Sequence, residues 1–103
     1  MENLTSIEEF EQLKQEVKIV FKFTASWCPD CHFIDPFMEE VEEKFSEFQF
    51  VSVDRDQFIE LCGQLDIFGI PSFIVFENGE EKGRFVSKDR KTKDEIESFL
   101  QTF

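Results

Sequence analysis

The amino-acid sequence predicts an α/β domain, a mixed four- to five-stranded sheet flanked by helices on both faces. Three observations predict it. The chain has 103 residues, enough for one domain with its own core. Runs rich in Phe and β-branched residues alternate with segments of helical periodicity, which implies parallel strand pairing. Asn78-Gly79 then joins two extended runs, a hairpin signal that adds antiparallel strands at the end.

Thr5 and Ser6, followed by Glu8 and Glu9, offer capping boxes, and Ile7, Phe10 and Leu13 form one apolar stripe, so a first helix is expected from Ser6 to Gln15. Val17 to Thr24 is apolar on both faces and reads as a central buried strand. The second helix follows Cys28, with Phe33, Phe37, Val41 and Phe45 at i, i+4 spacing and Pro36 placed to bend it. Phe50 to Val53 is a second strand ended by Asp54. Phe58, Leu61, Cys62 and Leu65 mark a third helix. Ser72 to Glu77 and Gly83 to Ser87 form the hairpin. Thr92 and Glu95 cap a last helix carrying Ile96, Phe99, Leu100 and Phe103. No repeat, linker or low-complexity segment divides the chain, so 1–103 is read as one domain.

Composition narrows the function. Apolar residues make up 41%, which excludes disorder from lack of hydrophobic residues; fifteen are Phe and none is Tyr. A net charge of −12 repels phosphate backbones and anionic lipid, so neither nucleic acid nor a membrane surface is expected as a partner. The N-terminal Met-Glu-Asn-Leu-Thr carries an acid where a secretory signal carries bases, and the longest apolar-rich stretch holds Lys18 and Lys22. The reading is a cytoplasmic, monomeric protein.

In such a setting three cysteines are not a disulfide scaffold, and Cys28 and Cys31 in C-x-x-C spacing at a strand-to-helix junction read as redox chemistry. A helix N-terminus presents unpaired N–H groups and roughly half a positive charge, favouring an anion at Cys28. Only the thiolate attacks a disulfide. Cys31, one turn on, can then resolve the mixed disulfide, and Pro29 suits the first helical turn because it lacks an N–H.

The run Phe23-Thr24-Ala25-Ser26-Trp27-Cys28-x-x-Cys31, with Pro36, Gly69-Ile70-Pro71-Ser72 and Phe76-Glu77-Asn78-Gly79-Glu80 in register, resembles the thioredoxin family over nearly the whole chain. The resemblance implies a thioredoxin fold and a cis Ile70–Pro71 bond whose backbone pairs with an extended substrate. It implies a disulfide reductase with no bound cofactor, only a reversible Cys28–Cys31 disulfide, recycled by an NADPH-dependent thioredoxin reductase. Disulfide-bearing proteins or small-thiol disulfides would be its substrates. Trp27, Pro29, Asp30, Lys22, Ile70 and Pro71 are the expected supporting residues.

Several positions depart from the family pattern. Pro29-Asp30 replaces the usual Gly-Pro, as in atypical thioredoxin-like proteins of low-GC Gram-positive bacteria, whose Trp-Cys-Pro-Asp-Cys run this sequence resembles. Asp30 either repels the thiolate and acidic partners or caps free N–H groups. Lys22 stands where the family has a buried Asp; it either points under the site and acts on Cys31 or snorkels to solvent. Asp54 either pairs with Lys22 or stops its strand. His32 is expected as an exposed helical residue and Cys62 as a packed, inert thiol. Phe85-Val86-Ser87 replaces a Gly that admits protein substrates, and the segment 83–91 gathers bases that either receive an anionic thiol compound or are ordinary surface charge. Two other functions compete: a protein-binding module with little turnover, and a zinc site from Cys28, Cys31, His32 and Cys62, which lacks a second knuckle.

Overall fold

The computed structural model describes residues 1–103. The elements run β1 (Glu2–Asn3), α1 (Ile7–Leu13), β2 (Ile19–Thr24), α2 (Pro29–Lys44), β3 (Gln49–Asp54), α3 (Ile59–Gln64), β4 (Ser72–Glu77), β5 (Glu80–Phe85) and α4 (Lys93–Leu100). The five strands order as β1-β3-β2-β4-β5. β2 lies at the centre, parallel to β3 with Phe21 opposite Val51, and antiparallel to β4 with Phe23 opposite Ser72. The alternation of side chains along β2 feeds two cores. Ile19, Phe21 and Phe23 join Phe10 of α1 and Leu61 and Cys62 of α3 on one face. Val20 joins Ile34, Met38 and Val41 of α2 and Ile96 and Leu100 of α4 on the other.

Four sequence expectations shift. β2 starts at Ile19, leaving Val17 exposed, because the chain enters the sheet only where Gln49 N–H meets the Lys18 carbonyl at 2.9 Å. In α2 the buried row is Cys31, Ile34, Met38 and Val41, while Phe33 is exposed and pairs edge-on with Phe37 at 6.2 Å. The N-terminal part of the expected stripe is thus the flank of the helix: an i, i+3, i+7 row faces the sheet there with Phe33 and Phe37 beside it, and the two rows merge at Val41, with Phe45 buried after it. β5 begins at Glu80, directly after the turn, and ends at Phe85; its polar edge residues gave no alternation to read. β1 is two residues long, below any periodic signal, and adds a fifth strand beside β3.

Caps and turns follow local chemistry. Ser6 Oγ accepts the Glu9 N–H, and Thr92 and Glu95 form a reciprocal capping box. Asn78 and Gly79 have φ of 53° and 89°, the left-handed pair a two-residue hairpin requires. Their N–H groups donate to the Glu16 and Lys14 carbonyls, tying the hairpin to the end of α1. No helix is long and apolar enough to cross a membrane.

Phe10 is the anchor of α1: its ring centroid lies 4.8 Å from Phe21 and 6.0 Å from Phe76. Phe10→Ala is therefore expected to lower unfolding free energy by about 3–5 kcal/mol. Denaturant titration with an unchanged m-value checks this; a loss under 1 kcal/mol overturns the anchoring role.

Candidate active site

The sheet register builds the site. Because Phe23 pairs with Ser72, the end of β2 and the start of β4 lie side by side, and the segments just outside them, 25–28 and 69–71, meet. Cys28 is extended, with φ −89° and ψ 111°, and is the N-cap of α2; its own N–H donates to the Ala25 carbonyl at 3.2 Å. The Cys31 N–H donates to Cys28 Sγ at 3.2 Å, so the sulfur stands where an N-cap oxygen usually stands. Pro29 occupies the first helical turn, where no N–H is needed. From the other side the Ile70 carbonyl lies 3.9 Å from Cys28 Sγ, and the Ile70–Pro71 peptide is cis. Cys28 and Cys31 are both buried and both free thiols.

The two sulfurs are held differently. Burial pushes the Cys31 thiol up to about 11, and its hydrogen bond with Cys28 acts in the same direction, against Thr24 and the Ala25 backbone. Cys31 is thus a protonated thiol in the resting reduced pair, underneath a sulfur that receives a helix N–H.

Around them lies a ring of charge. Trp27 Nε1–H donates to Asp56 Oδ2 at 2.7 Å, with the Arg55 guanidinium 5.8 Å from the ring centre. Asp30 caps nothing; Arg90 Nε donates to its Oδ1 at 3.0 Å, and the same guanidinium lies 4.4 Å over Phe33. Lys22 is 8% exposed and lies 3.6 Å from Asp35 Oδ1. It does not pair with Asp54, whose Oδ1 accepts the Asp56 and Gln57 N–H groups and so ends β3. His32 is exposed, bridging the Ser26 carbonyl and Asp35, and the Ser26 carbonyl, then Asp35, raises its pKa. A groove of about 350 Å³ opens beside Cys28, with Trp27, Phe68 and Ile70 as apolar walls and Arg55 and Lys88 on it.

This junction, with a dithiol facing a cis proline, has counterparts in known proteins. The thioredoxin family model matches residues 3–102. The chain belongs to the thioredoxin family. A rice thioredoxin H2-1 is 34% identical over 84 residues, covering 82% of this chain and 59% of its own length. Thioredoxin of Mycoplasma genitalium is 33% identical over 94 residues, covering 87% and 92%. The solved structure of Plasmodium falciparum thioredoxin superposes with a TM-score of 0.88 over 100% of this chain and 99% of that one, at 24% identity, a likeness of fold. Thioredoxins are disulfide oxidoreductases, and the Cys28/Cys31 pair of this member sits at the redox-active position.

Against the thioredoxin pattern, the structure brings Trp27, Cys28, Pro29, Asp30 and Ile70 to one groove and Cys31 beneath it. Lys22 stands apart, lining a polar cavity of about 360 Å³ with Thr24, His32 and Asp35. Cys62 packs in the other apolar cluster, and burial raises its thiol pKa. No group of three or more His, Cys, Asp and Glu side chains stands in metal-holding geometry. Residue by residue, the sequence did not reveal Arg90 as the partner of Asp30, Arg55 and Asp56 as the brackets of Trp27, or Phe68 as a groove wall. The basic run at 84–91 was the one available signal. Within it Lys91 is fully buried, its Nζ donating to the Ser87 and Asp89 carbonyls and Ser87 Oγ, and burial pushes its ammonium below the usual lysine range.

The Cys31 thiol sets a pH dependence. Its folded pKa lies above the ordinary value of 9.0, so its contribution is complete below pH 9 and is lost as pH rises toward 11. Between pH 8 and 11.5 the reduced protein should lose about 2–3 kcal/mol more stability than Cys31→Ser. Denaturation of both proteins across that range measures the difference, and parallel curves would show that Cys31 is not held as a thiol.

Proposed function

We propose that this thioredoxin-family member reduces disulfides, with Cys28 attacking and Cys31 resolving. The observation that carries the reading is the position of Cys28 Sγ, capped by the Cys31 N–H at a helix start and faced by the Ile70 carbonyl. The Cys28 thiolate attacks one sulfur of the substrate, forming a mixed disulfide and expelling the other sulfur, which takes a proton. Cys31 then loses its proton and attacks Cys28 Sγ. The Cys28–Cys31 disulfide forms, the second substrate thiol leaves, and two electrons have passed from dithiol to substrate.

The same reading assigns the supporting residues. Trp27, held by Asp56, and Pro29 shape the rim, and Ile70 offers its backbone to an extended substrate segment ahead of Pro71, in the manner of an added strand. Asp30, neutralised by Arg90, does not oppose charge on Cys28. Lys22 acts on the polar cavity through Asp35. A thioredoxin reductase returns the oxidised pair to the dithiol, no cofactor is bound, and the protein works in the cytoplasm. The Pro29-Asp30 pair supports membership of the atypical, Asp-containing thioredoxin-like proteins of low-GC Gram-positive bacteria.

Cys31→Ser should accumulate a mixed disulfide on Cys28 when mixed with an oxidised substrate, and Cys28→Ser should not. Non-reducing gels and intact mass measure this. Trapping on neither variant, with no disulfide reduced by the native protein under a matched reductase, makes the fold a docking module instead.

A further inference from the structure

The groove beside Cys28 carries the opposite charge to the rest of the chain. The protein has a net charge of −12, yet its charged residues in the groove wall are Arg55, Lys88 and Asp30, and Asp30 is already bonded to Arg90. Arg55 is shared with Asp56 at 3.5 Å. Lys88 is exposed and has neither an ion-pair nor a hydrogen-bond partner. Its place is fixed by the backbone: a Cβ on Gly69 would come 2.3 Å from the Ser87 carbonyl oxygen and 2.8 Å from the Lys88 nitrogen, so segment 87–88 is pressed against the proline loop. The backbone that carries this unpaired ammonium is thereby placed at the wall of a groove whose reactive end is a sulfur.

Resting on the proposed disulfide chemistry, we infer that this groove takes disulfides of small thiols bearing a carboxylate, with the carboxylate placed against Lys88 and, behind it, Arg55. The volume of about 350 Å³ lies at the small end of ligand pockets, room for one peptide-sized thiol rather than a folded segment. Trp27 and Phe68, 58% and 65% exposed, line it and supply apolar contact for its methylenes. The carboxylate steers the encounter and orients the attacked sulfur toward Cys28; it takes no part in the electron transfer.

The test uses three disulfides of similar size: dithiodipropionate, doubly negative; 2-hydroxyethyl disulfide, neutral; and cystamine, doubly positive. Pre-reduced protein is mixed with each, and oxidation is followed by the fluorescence of Trp27, the one tryptophan. Each second-order rate constant is divided by that of dithiothreitol with the same disulfide, which removes the leaving-group effect on rate. The normalised anion-to-cation ratio should exceed three at low salt and shrink toward one at 0.5 M salt, where about 4 Å of screening length remains. Lys88→Glu should lower that ratio about tenfold and Lys88→Gln by an intermediate factor, as expected for a charge a few ångströms from the ligand. A native ratio at or below one, or a ratio that Lys88→Glu leaves unmoved, overturns the inference. Failure to reduce even the neutral disulfide strikes at the disulfide-reductase reading itself, a result distinguishable from loss of charge preference.

Discussion

The antiparallel pairing of β2 with β4, with Phe23 opposite Ser72, is the constraint on which the site depends. It lays the exit of one strand beside the entrance of the other. The chain leaving β2 must turn into α2 there, and the chain entering β4 must come out of the Pro71 loop there. Cys28 and Ile70 meet for that reason, although 42 residues separate them. The pairing is in turn held by burial on both faces: Phe21, Phe23, Phe73 and Ile74 are wholly inaccessible to water, and a one-residue slip would exchange the faces of every side chain in the strand.

The cysteine pair and its scaffold were legible because each rests on local rules. A C-x-x-C after a buried strand, a proline in the first helical turn and an Asn-Gly turn are all read from neighbouring residues. What escaped depends on residues far apart in the chain. Asp30 meets Arg90 across 60 positions, a partner that no reading of its neighbours could supply. Trp27 meets Asp56 across 29. The α2 stripe held at its C-terminal half, Val41 and Phe45, and shifted at the other: phenylalanine attracts attention by size, but the side chains that face the sheet are set by the pitch of the helix, and Cys31, Ile34 and Met38 lie on that line while Phe33 stands outside it.

Two buried amines give the site an unusual electrostatic frame. Lys22 answers to Asp35 on α2, whereas Lys91 donates to carbonyl and hydroxyl oxygens and lies 5.1 Å from the centre of the Phe85 ring, with no carboxylate partner. Burying an ammonium is costly unless its donors are satisfied, and the three bonds of Lys91 use its full donor capacity. The Ser87–Asp89 turn is thus folded around a cation, which explains why a run of bases in an acidic protein is structure as well as surface.

The contact of Gly69 with Ser87 has a consequence for motion. Where two loops touch through bare backbone, a shift of the proline loop toward segment 87–88 must push that segment as well, so the two sides of the groove are coupled at this contact. Any residue larger than glycine at 69 would displace Ser87 and Lys88 and so reshape the groove wall without entering the groove.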